Sequence, residues 1–370
     1  MSQRNNIRMI VAGGGTGGHI FPALAIAHAL KRRFAEADIL FVGAKGKMEM
    51  EKVPAEGFPI KGLDIAGFDR SNWMNNLSLP IKLWKSFREA GRILTEFKPD
   101  VVVGVGGYAS FPMLYKAQQR GIPTLIQEQN SFAGKSNVLL GKKARAICVA
   151  WPAMEKFFPA ERIVITGNPV RRAVVEHPVS KTAAAAFFGL NPNQPIVFAF
   201  GGSLGAKSIN EALASQYSKL LAQDVQLIWQ TGKLFYAEAQ AAVQGHEKNI
   251  KVFDFIRDMD KAYGAADVIV SRSGASSISE LCLIGKPVIF VPFPFASEDH
   301  QTHNAQSLSS RGAALLLPNQ AVAEKLLPMV LDLLNNPTQQ THMSQAIRTS
   351  GVADADERIV DTLISILSNK

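Results

Sequence analysis

Three glycine-rich loops in the sequence have the composition of phosphate-binding sites. They span residues 13–19, 104–110 and 201–208, and each follows a short apolar run and precedes a helical stretch. Glycine lets backbone N–H groups approach an anion closely, and the N-terminus of the following helix adds a favourable dipole. Each loop alone also fits a tight strand-to-helix turn without a ligand. The occurrence of three such loops indicates two phosphate-bearing ligands.

Two known nucleotide-binding motifs are only partly matched by these loops. Residues 13–18 fit G-x-G-x-x-G. The next predicted strand ends in Phe-Val-Gly-Ala-Lys at 41–45, however, and lacks the acidic residue that binds the ribose of a dinucleotide. Residues 201–208 approach a P-loop but carry Ala206 in place of its second glycine, and no apolar strand ends in an aspartate suited to magnesium. The sequence therefore argues against a nicotinamide-dependent enzyme and against an ATPase.

Short β-branched runs alternate with helical stretches along the chain, a pattern typical of doubly wound parallel α/β sheets. Six runs begin before residue 167 and six lie beyond residue 170, and Gly-Asn-Pro at 167–169 interrupts any regular element. We therefore predict two Rossmann-like domains, 1–167 and 168–351, with ligands in the cleft between them at the carboxyl ends of the strands. Residues 352–370 include an amphipathic helix that we expect to pack back on the N-terminal domain.

The positive charge of the chain is confined to its N-terminal half. The 370 residues carry a formal net charge of +9. Residues 1–170 hold 23 Lys and Arg against 13 Asp and Glu, whereas residues 171–370 hold 17 against 18. An asymmetry of this size points to an anionic partner, a nucleic acid or a membrane, for one half only. A content of 47% apolar and 19% charged residues excludes a disordered chain.

Cysteine content and apolar runs indicate where the protein works. Cys148 and Cys282 are far apart, which excludes a disulfide framework and a cysteine-based zinc site and favours a reducing cytoplasm. The first residues lead directly into an apolar strand and leave no room for a secretory signal. No apolar run reaches the roughly 18 residues that a membrane-spanning helix needs. We expect a soluble or surface-bound protein.

Residues 73–92 combine apolar, aromatic and basic side chains. A helix beginning near Pro80 would present them together, as interfacial helices do. A crossover helix buried on the sheet is an equal alternative. The stretch lies in the basic half and the chain has no nucleic-acid-binding motif, so we favour an anionic membrane surface over nucleic acid. The residues expected to contact it are Ile81, Trp84, Lys85, Phe87 and Arg88.

Seven short motifs, in order along the chain, resemble the MurG family of N-acetylglucosaminyltransferases. They lie at residues 14–19, 98–108, 128–130, 167–171, 201–206, 271–280 and 299–301. The resemblance implies the α/β GT-B architecture of two facing Rossmann-like domains. It also implies a hexosyltransferase that moves N-acetylglucosamine with inversion from UDP-N-acetylglucosamine to lipid I, giving lipid II for peptidoglycan. The enzyme would be peripheral on the cytoplasmic face of the bacterial inner membrane.

The same resemblance implies a set of substrate-binding residues. An acceptor site would include Gly106, Gly107 and Tyr108. We expect no cofactor and no protein-bound metal, and cell-wall synthesis proteins are candidate partners. The donor contacts that carry over to this sequence are Thr16, Gly17, Gly18, Asn130, Arg171, Ser203, Ile256, Ala275, Ser276, Ser277, Ile278, Ser279, Glu280 and Gln301.

The transfer implied by the resemblance needs a base for the acceptor hydroxyl and stabilisation of the leaving diphosphate. His19 is a candidate base because imidazole titrates near neutral pH. An equal alternative is that His19 donates a hydrogen bond to a phosphate. Glu128 is the second candidate base, with Tyr108 and Asn130 orienting the acceptor. The sequence does not decide between these two bases.

The chemistry of the donor residues fits the implied roles, and each residue also has a purely structural alternative. The carboxylate of Glu280 can accept hydrogen bonds from two ribose hydroxyls, or can stabilise a helix N-terminus. Arg171 offers a planar donor fork, or a surface ion pair. Ser203 suits a phosphate oxygen, or a helix cap. Asp258-Met-Asp260 resembles a metal signature, but it precedes a helix and is better interpreted as N-terminal capping.

Two other functions remain open from the sequence. One is a different GT-B transferase that uses a UDP-sugar and another lipid or a soluble acceptor. The other is a scaffold that binds a UDP-sugar without turnover.

Overall fold

The structure is a computed structural model and describes residues 6–65, 79–170, 179–202 and 204–368. Two compact units are formed by these residues. The N-terminal unit falls within Met1–Val170 and Asp354–Lys370, and the C-terminal unit falls within Arg171–Ala353. Each unit contains one parallel sheet with helices packed against it.

The N-terminal unit contains a seven-stranded sheet in the order β3-β2-β1-β4-β5-β6-β7. Every pairing in it is parallel. Its strands are β1 (Arg8–Ala12), β2 (Asp38–Ala44), β3 (Ile60–Leu63), β4 (Val101–Gly104), β5 (Thr124–Glu128), β6 (Ala146–Val149) and β7 (Ile163–Ile165). Its described helices are α1 (Gly17–Arg33), α2 (Glu49–Ala55), α3 (Leu79–Phe97), α4 (Ser110–Gln119), α5 (Lys135–Gly141) and, at the end of the chain, α15 (Ala355–Ser368).

Both faces of this sheet are covered, which explains why its central strands are continuous apolar runs rather than alternating ones. Along β1, Met9 and Val11 enter a core on one face, while Ile10 and Ala12 enter a second core on the other face. The three valines that begin β4 are fully buried. A rigid central pair of strands therefore carries the two loops that follow β1 and β4.

Helix α15 completes the N-terminal unit from the far end of the sequence. Ile359, Val360 and Leu363 are buried in the same core as α1. The guanidinium of Arg32, in the last turn of α1, donates hydrogen bonds to the Asp356 carboxylate at 2.6 Å and to a carboxylate oxygen of the following residue at 2.8 Å.

The C-terminal unit contains a six-stranded parallel sheet in the order β10-β9-β8-β11-β12-β13. Its strands are β8 (Ile196–Phe200), β9 (Gln226–Gln230), β10 (Ile250–Phe253), β11 (Val268–Ser271), β12 (Val288–Phe290) and β13 (Leu315–Leu316). Its described helices are α6 (Lys181–Phe187), α7 (Lys207–Gln216), α8 (Ser218–Leu221), α9 (Tyr236–Ala242), α10 (Met259–Ala265), α11 (Ala275–Ile284), α12 (His300–Ser309), α13 (Val322–Leu334) and α14 (Pro337–Arg348).

Strand order reverses once in each sheet, between β1 and β4 in the N-terminal unit and between β8 and β11 in the C-terminal unit. Ligands of doubly wound folds bind at such reversals, beyond the carboxyl ends of the strands. All three glycine-rich loops follow strands at these two points.

The predicted α/β class with two parallel-sheet domains is confirmed, and all twelve predicted runs contain strands. The sequence analysis missed β3, a four-residue edge strand that contains Gly62 and is only partly buried. Its sequence is Ile-Lys-Gly-Leu, in which a lysine and a glycine, both uncommon in strands, interrupt the apolar pattern. Across the described part of the chain, no helix combines the length and apolar content that a bilayer crossing requires.

Close backbone packing at Gly107 gives a testable prediction. Gly107 has φ +84°, and a Cβ there would lie 2.2 Å from the Gly14 carbonyl oxygen. Gly121 has φ +69°, and a Cβ there would have nothing within 4 Å. We expect Gly121→Ala to cost about 1 kcal/mol of unfolding free energy, because it adds only backbone strain. Gly107→Ala should cost at least ~2 kcal/mol more, since the loops must also separate. Urea denaturation of both variants measures this, and equal losses would contradict the packing argument.

Candidate functional site

Loops that follow β1, β4 and β5 meet at one edge of the N-terminal sheet. We call residues 13–16, 105–109 and 129–134 the N-terminal loop cluster. The Gly14 N–H donates to the Gly106 carbonyl oxygen at 3.3 Å. The Ser110 hydroxyl donates to the Ala12 carbonyl oxygen at 2.6 Å and accepts the Gly106 N–H at 3.1 Å. The first two glycine-rich loops are therefore one structural unit.

His19 lies in the first turn of α1 and faces this cluster. Its Nδ1 is 3.2 Å from the amide oxygen of Gln129, which follows β5. A Cβ at Gly106 would lie 2.7 Å from the ring Cε1 of His19, so a glycine is required for the imidazole to pack against the loop. Of the other predicted residues in this region, Thr16 occupies the N-cap position without a side-chain capping bond, and Gly17 and Gly18 begin the helix. The side chain of Tyr108, in the second glycine-rich loop, is 47% exposed.

Glu128 ends β5 and is almost completely buried. One carboxylate oxygen accepts the backbone N–H of Asn130 at 3.0 Å and its side-chain amide at 3.3 Å. The other accepts the Asn137 amide at 2.8 Å and the Gly134 N–H at 3.3 Å. Burial raises the pKa of Glu128, and these four hydrogen bonds oppose that shift. The carboxylate thus fixes the loop after β5, including Asn130.

A second buried carboxylate, Glu49, was missed by the sequence analysis. It lies at the start of α2 and accepts the Gly15 N–H at 2.8 Å and the Ala44 N–H at 3.0 Å. A Cβ at Gly14 would lie 2.4 Å from its carboxyl carbon. Glu49 therefore ties the β1 loop to the end of β2. In the sequence Glu49 is one of several charged residues in a helical stretch, and nothing local distinguishes it. Its role becomes visible only in the fold, where the ends of β1 and β2 lie side by side.

The C-terminal loop cluster comprises residues 201, 202, 204–206, 230–232, 254–256 and 272–276, at the carboxyl ends of β8, β9, β10 and β11. The Gln230 amide donates to the Gly202 carbonyl oxygen at 3.0 Å and its oxygen accepts the Ile256 N–H at 2.9 Å. Gly205 has φ +77°, and a Cβ there would lie 1.9 Å from the Thr231 carbonyl oxygen. The buried side chain of Gln230 thus joins the glycine-rich loop to the predicted donor residue Ile256, a role with no signal in the sequence.

Helix α11 carries the predicted donor residues Ala275, Ser276, Ser277, Ile278, Ser279 and Glu280. Glu280 is buried in the second turn, where the hydroxyl of Tyr263 donates to its Oε2 at 3.0 Å. The Ser279 hydroxyl donates to the Ala275 carbonyl oxygen at 2.9 Å. Among the described residues, the buried hydroxyl of Ser276 has no hydrogen-bond partner. A small group with hydrogen-bonding capacity could satisfy it.

Two further side chains connect the strand ends of this unit. Gln301 accepts the Phe293 N–H at 3.0 Å, and its backbone carbonyl accepts the Ser273 hydroxyl at 2.8 Å. Arg272, directly after β11, donates to the carbonyl oxygens of Val291 and Pro292. Burial lowers the pKa of Arg272 to about 10. The predicted donor residues Arg171 and Ser203 lie outside the described residues.

Asp258 occupies the N-cap position of α10, as the capping interpretation predicted, but makes no side-chain capping bond. Its carboxylate instead accepts a hydrogen bond from the Lys261 ammonium at 2.6 Å. Within the described ranges, no group of three or more His, Cys, Asp or Glu side chains is placed to hold a metal ion.

Helix α3 has a buried face and an exposed face. Ser86, Ala90 and Ile93 are buried, whereas Ile81 and Trp84 are 60% and 62% exposed. The two sequence interpretations, a packed crossover helix and an exposed apolar stripe, therefore describe opposite faces of one helix.

An aromatic and basic surface adjoins the exposed face of α3. The Phe87 ring lies 5.3 Å from that of Tyr115, and the Arg88 guanidinium lies 5.9 Å from the Trp84 ring centroid. A cleft of about 310 Å³ lies between α3 and α4. Its lining residues are Phe87, Arg88, Gly91, Arg92, Thr95, Lys116, Gln119 and Arg120.

Two Rossmann-like parallel-sheet units, each with a loop cluster where its strand order reverses, have the architecture of the GT-B fold class. The chain belongs to glycosyltransferase family 28. Residues 9–149 match the model of the family 28 N-terminal domain, and residues 196–359 match that of the C-terminal domain.

Relatives over the full length support the same assignment. A protein of Parabacteroides distasonis is 50% identical over 98% of this chain and 99% of its own length. One of Phocaeicola vulgatus is 51% identical over 95% and 94%. Each is named a UDP-N-acetylglucosamine–N-acetylmuramyl-(pentapeptide) pyrophosphoryl-undecaprenol N-acetylglucosamine transferase. These relatives confirm the resemblance to the MurG family.

Among solved structures, MurG of Acinetobacter baumannii is 30% identical and superposes with a TM-score of 0.79, over 97% of this chain and 99% of that one. A calicheamicin glycosyltransferase, CalG4, superposes with a TM-score of 0.70 at 16% identity, over 98% of this chain and 99% of that one, and shows the shared fold alone.

The buried carboxylate of Glu128 gives a prediction for the pH dependence of stability. Because its pKa is raised in the folded protein, the folded state keeps a proton that the unfolded chain releases at the ordinary carboxyl pKa. The stability that this group contributes is present below that value and is lost as the pH rises through the folded pKa.

Glu128→Gln removes this titration. We expect the free energy of unfolding of the wild type, relative to the variant, to decrease as the pH rises above the ordinary carboxyl pKa of about 4. Chemical denaturation across this range measures the difference, and the exposed Glu155→Gln is the matched control. A difference that stays constant or grows with pH would show that burial does not govern this carboxylate.

Proposed function

We propose that the protein is a hexosyltransferase that moves N-acetylglucosamine from UDP-N-acetylglucosamine to lipid I and so produces lipid II. The observation that carries this proposal is the similarity to proteins that are named for this reaction. They are 50% and 51% identical to this chain and align over 98% and 95% of it. The two loop clusters fit this reaction. Backbone amides and helix N-termini bind phosphate groups, and both substrates, a nucleoside diphosphate sugar and a diphosphate lipid, carry a diphosphate.

The C-terminal loop cluster supports donor binding. The buried Glu280 carboxylate, held by Tyr263 on one oxygen, can accept hydrogen bonds from vicinal ribose hydroxyls. The Ser276 hydroxyl and the N-terminus of α11 suit the diphosphate. The side-chain oxygen of Gln230 accepts the Ile256 N–H and so fixes the loop that carries Ile256. By the family resemblance, Arg171, Ser203 and Gln301 complete this site, and Thr16, Gly17, Gly18 and Asn130 add contacts from the N-terminal unit.

The N-terminal loop cluster supports the chemical step. In an inverting transfer the acceptor hydroxyl attacks the anomeric carbon, the bond from that carbon to the diphosphate oxygen breaks, and the hydroxyl proton passes to a base. We assign the base to His19, which faces the cluster and is only partly buried. Glu128 is better suited to shaping the loop, because both of its oxygens already accept two hydrogen bonds. Gly106, Gly107 and Tyr108 border the acceptor.

The exposed face of α3 supports attachment to an anionic membrane surface. Ile81 and Trp84 provide exposed apolar area, and Lys85 and Arg88 provide positive charge beside it. The enzyme would then work on the cytoplasmic face of the inner membrane, where its lipid-linked acceptor would be presented. Proteins of cell-wall synthesis are candidate partners at the same surface.

Donor binding and proton removal are separable by mutation. Purified protein should transfer N-acetylglucosamine to a lipid I analogue. We expect His19→Ala to lower kcat about 10²- to 10⁴-fold with little change in donor affinity, because it removes general-base catalysis. Glu280→Ala should weaken donor binding about 10- to 100-fold, because it removes charge-assisted hydrogen bonds.

Initial rates at varied donor concentration, with UDP binding by calorimetry, measure both effects, and Glu155→Gln is the unaffected control. Absence of transfer under several detergent conditions would overturn the proposed reaction, and an acceptor panel would then identify another GT-B activity. Unchanged turnover in both variants would overturn the site assignment.

Membrane attachment has its own test. Replacing Ile81 and Trp84 with Ser should reduce co-sedimentation with anionic vesicles at least ~10-fold, because two exposed apolar anchors are removed. Transfer to a short-chain acceptor in detergent should stay within about twofold, since neither residue lies in the loop clusters. Leu139→Ser, 52% exposed on α5 of the same unit, is the matched control. Equal vesicle binding by all three proteins would exclude α3 as the contact.

A further inference from the structure

A chain of side-chain amides ends at His19 in the N-terminal loop cluster. Asn168, buried after β7, accepts a hydrogen bond at Oδ1 from the Gln127 amide nitrogen at 2.8 Å. The Gln127 side-chain oxygen in turn accepts a hydrogen bond from the Gln129 amide nitrogen. The Gln129 oxygen then lies 3.2 Å from His19 Nδ1. All three amides are almost completely buried.

The orientation of the Gln129 amide is determined by its neighbours. Its nitrogen also donates to the Val105 carbonyl oxygen at 2.7 Å, and a carbonyl oxygen can only accept. A flipped amide would place its oxygen against the Val105 carbonyl and against the oxygen of Gln127. Two repulsive contacts between buried acceptors would result, and both would lose their donor. The oxygen of Gln129 therefore faces His19.

An amide oxygen at this position accepts a hydrogen bond from the N–H at Nδ1 of the imidazole. In a neutral imidazole only one ring nitrogen carries hydrogen, and the other holds the lone pair. We infer that Gln129 is a positioning residue that holds neutral His19 as the Nδ1–H tautomer, so that Nε2 is the atom that accepts the proton of the acceptor hydroxyl. The catalytic part of this inference depends on the proposed role of His19 as base.

The side chain that faces His19 Nδ1 is uncharged. Many catalytic histidines are oriented by a carboxylate, which also stabilises the charged imidazolium. Here the partner is neutral and is itself held by a backbone carbonyl after β4 and an amide of β5. The acceptor that faces Nδ1 is therefore held in place by groups at the carboxyl ends of adjacent strands.

Nitrogen-15 NMR of the full-length protein, labelled at histidine, tests the tautomer directly. Long-range proton–nitrogen correlations distinguish the two neutral forms, and His19→Asn identifies the His19 signals among the seven histidines. We expect protonation at Nδ1 in the wild type. Gln129→Met, similar in volume but without an acceptor, should lose this preference.

Kinetics provide the second measurement. Gln129→Met should lower kcat about 10-fold, with the KM for the donor within about threefold, because the base presents its lone pair less often and in a less fixed orientation. A wild-type His19 protonated at Nε2 would overturn the inference, and this result needs no variant to fold. A Gln129→Met protein that keeps the Nδ1–H form would also overturn it. If the tautomers behave as expected but His19→Ala retains full turnover, the proposed base is wrong and the tautomer assignment stands.

Discussion

The approach of two backbone loops at the reversal of strand order is the contact on which the N-terminal site depends. Gly14 and Gly106 share a hydrogen bond, and Gly107 touches the Gly14 carbonyl at a distance that excludes any Cβ. Because β1 and β4 are adjacent and buried on both faces, their ends cannot move apart to admit a larger side chain. Glycine in these loops thus serves loop-to-loop packing, in addition to the anion binding that we propose.

Buried polar side chains hold the loops that glycine allows to approach. Glu49 and Glu128 accept backbone N–H groups in the N-terminal unit, and Gln230 bridges two loops in the C-terminal unit. A buried polar group left unpaired would cost free energy, so such networks favour one arrangement of the loops. Rigid loops are what preorganised binding of a charged substrate requires.

Much of this arrangement was predictable from the sequence, for identifiable reasons. Parallel strands buried on both faces leave continuous apolar runs, so β1, β4 and β8 and the loops after them could be located from local pattern. The family motifs then pointed to His19 and Glu280, whose roles stay predictions. The contacts of Glu49, Gln129 and Gln230 could not be found this way, because they join strand ends that are distant in sequence. The choice between a buried and an exposed α3 is resolved because the helix has one face of each kind.

The position of α15 has a consequence for synthesis of the chain. Ile359, Val360 and Leu363 belong to the core of the unit that contains the first strand. A nascent chain emerges from its N-terminus, so this core stays incomplete until the final helix leaves the ribosome. The part of the apolar surface of α1 that α15 covers stays exposed while the whole C-terminal unit is being made. Loss of α15 would therefore destabilise the N-terminal unit, which is synthesised first. The C-terminal unit, whose sequence directly precedes α15, would stay largely intact.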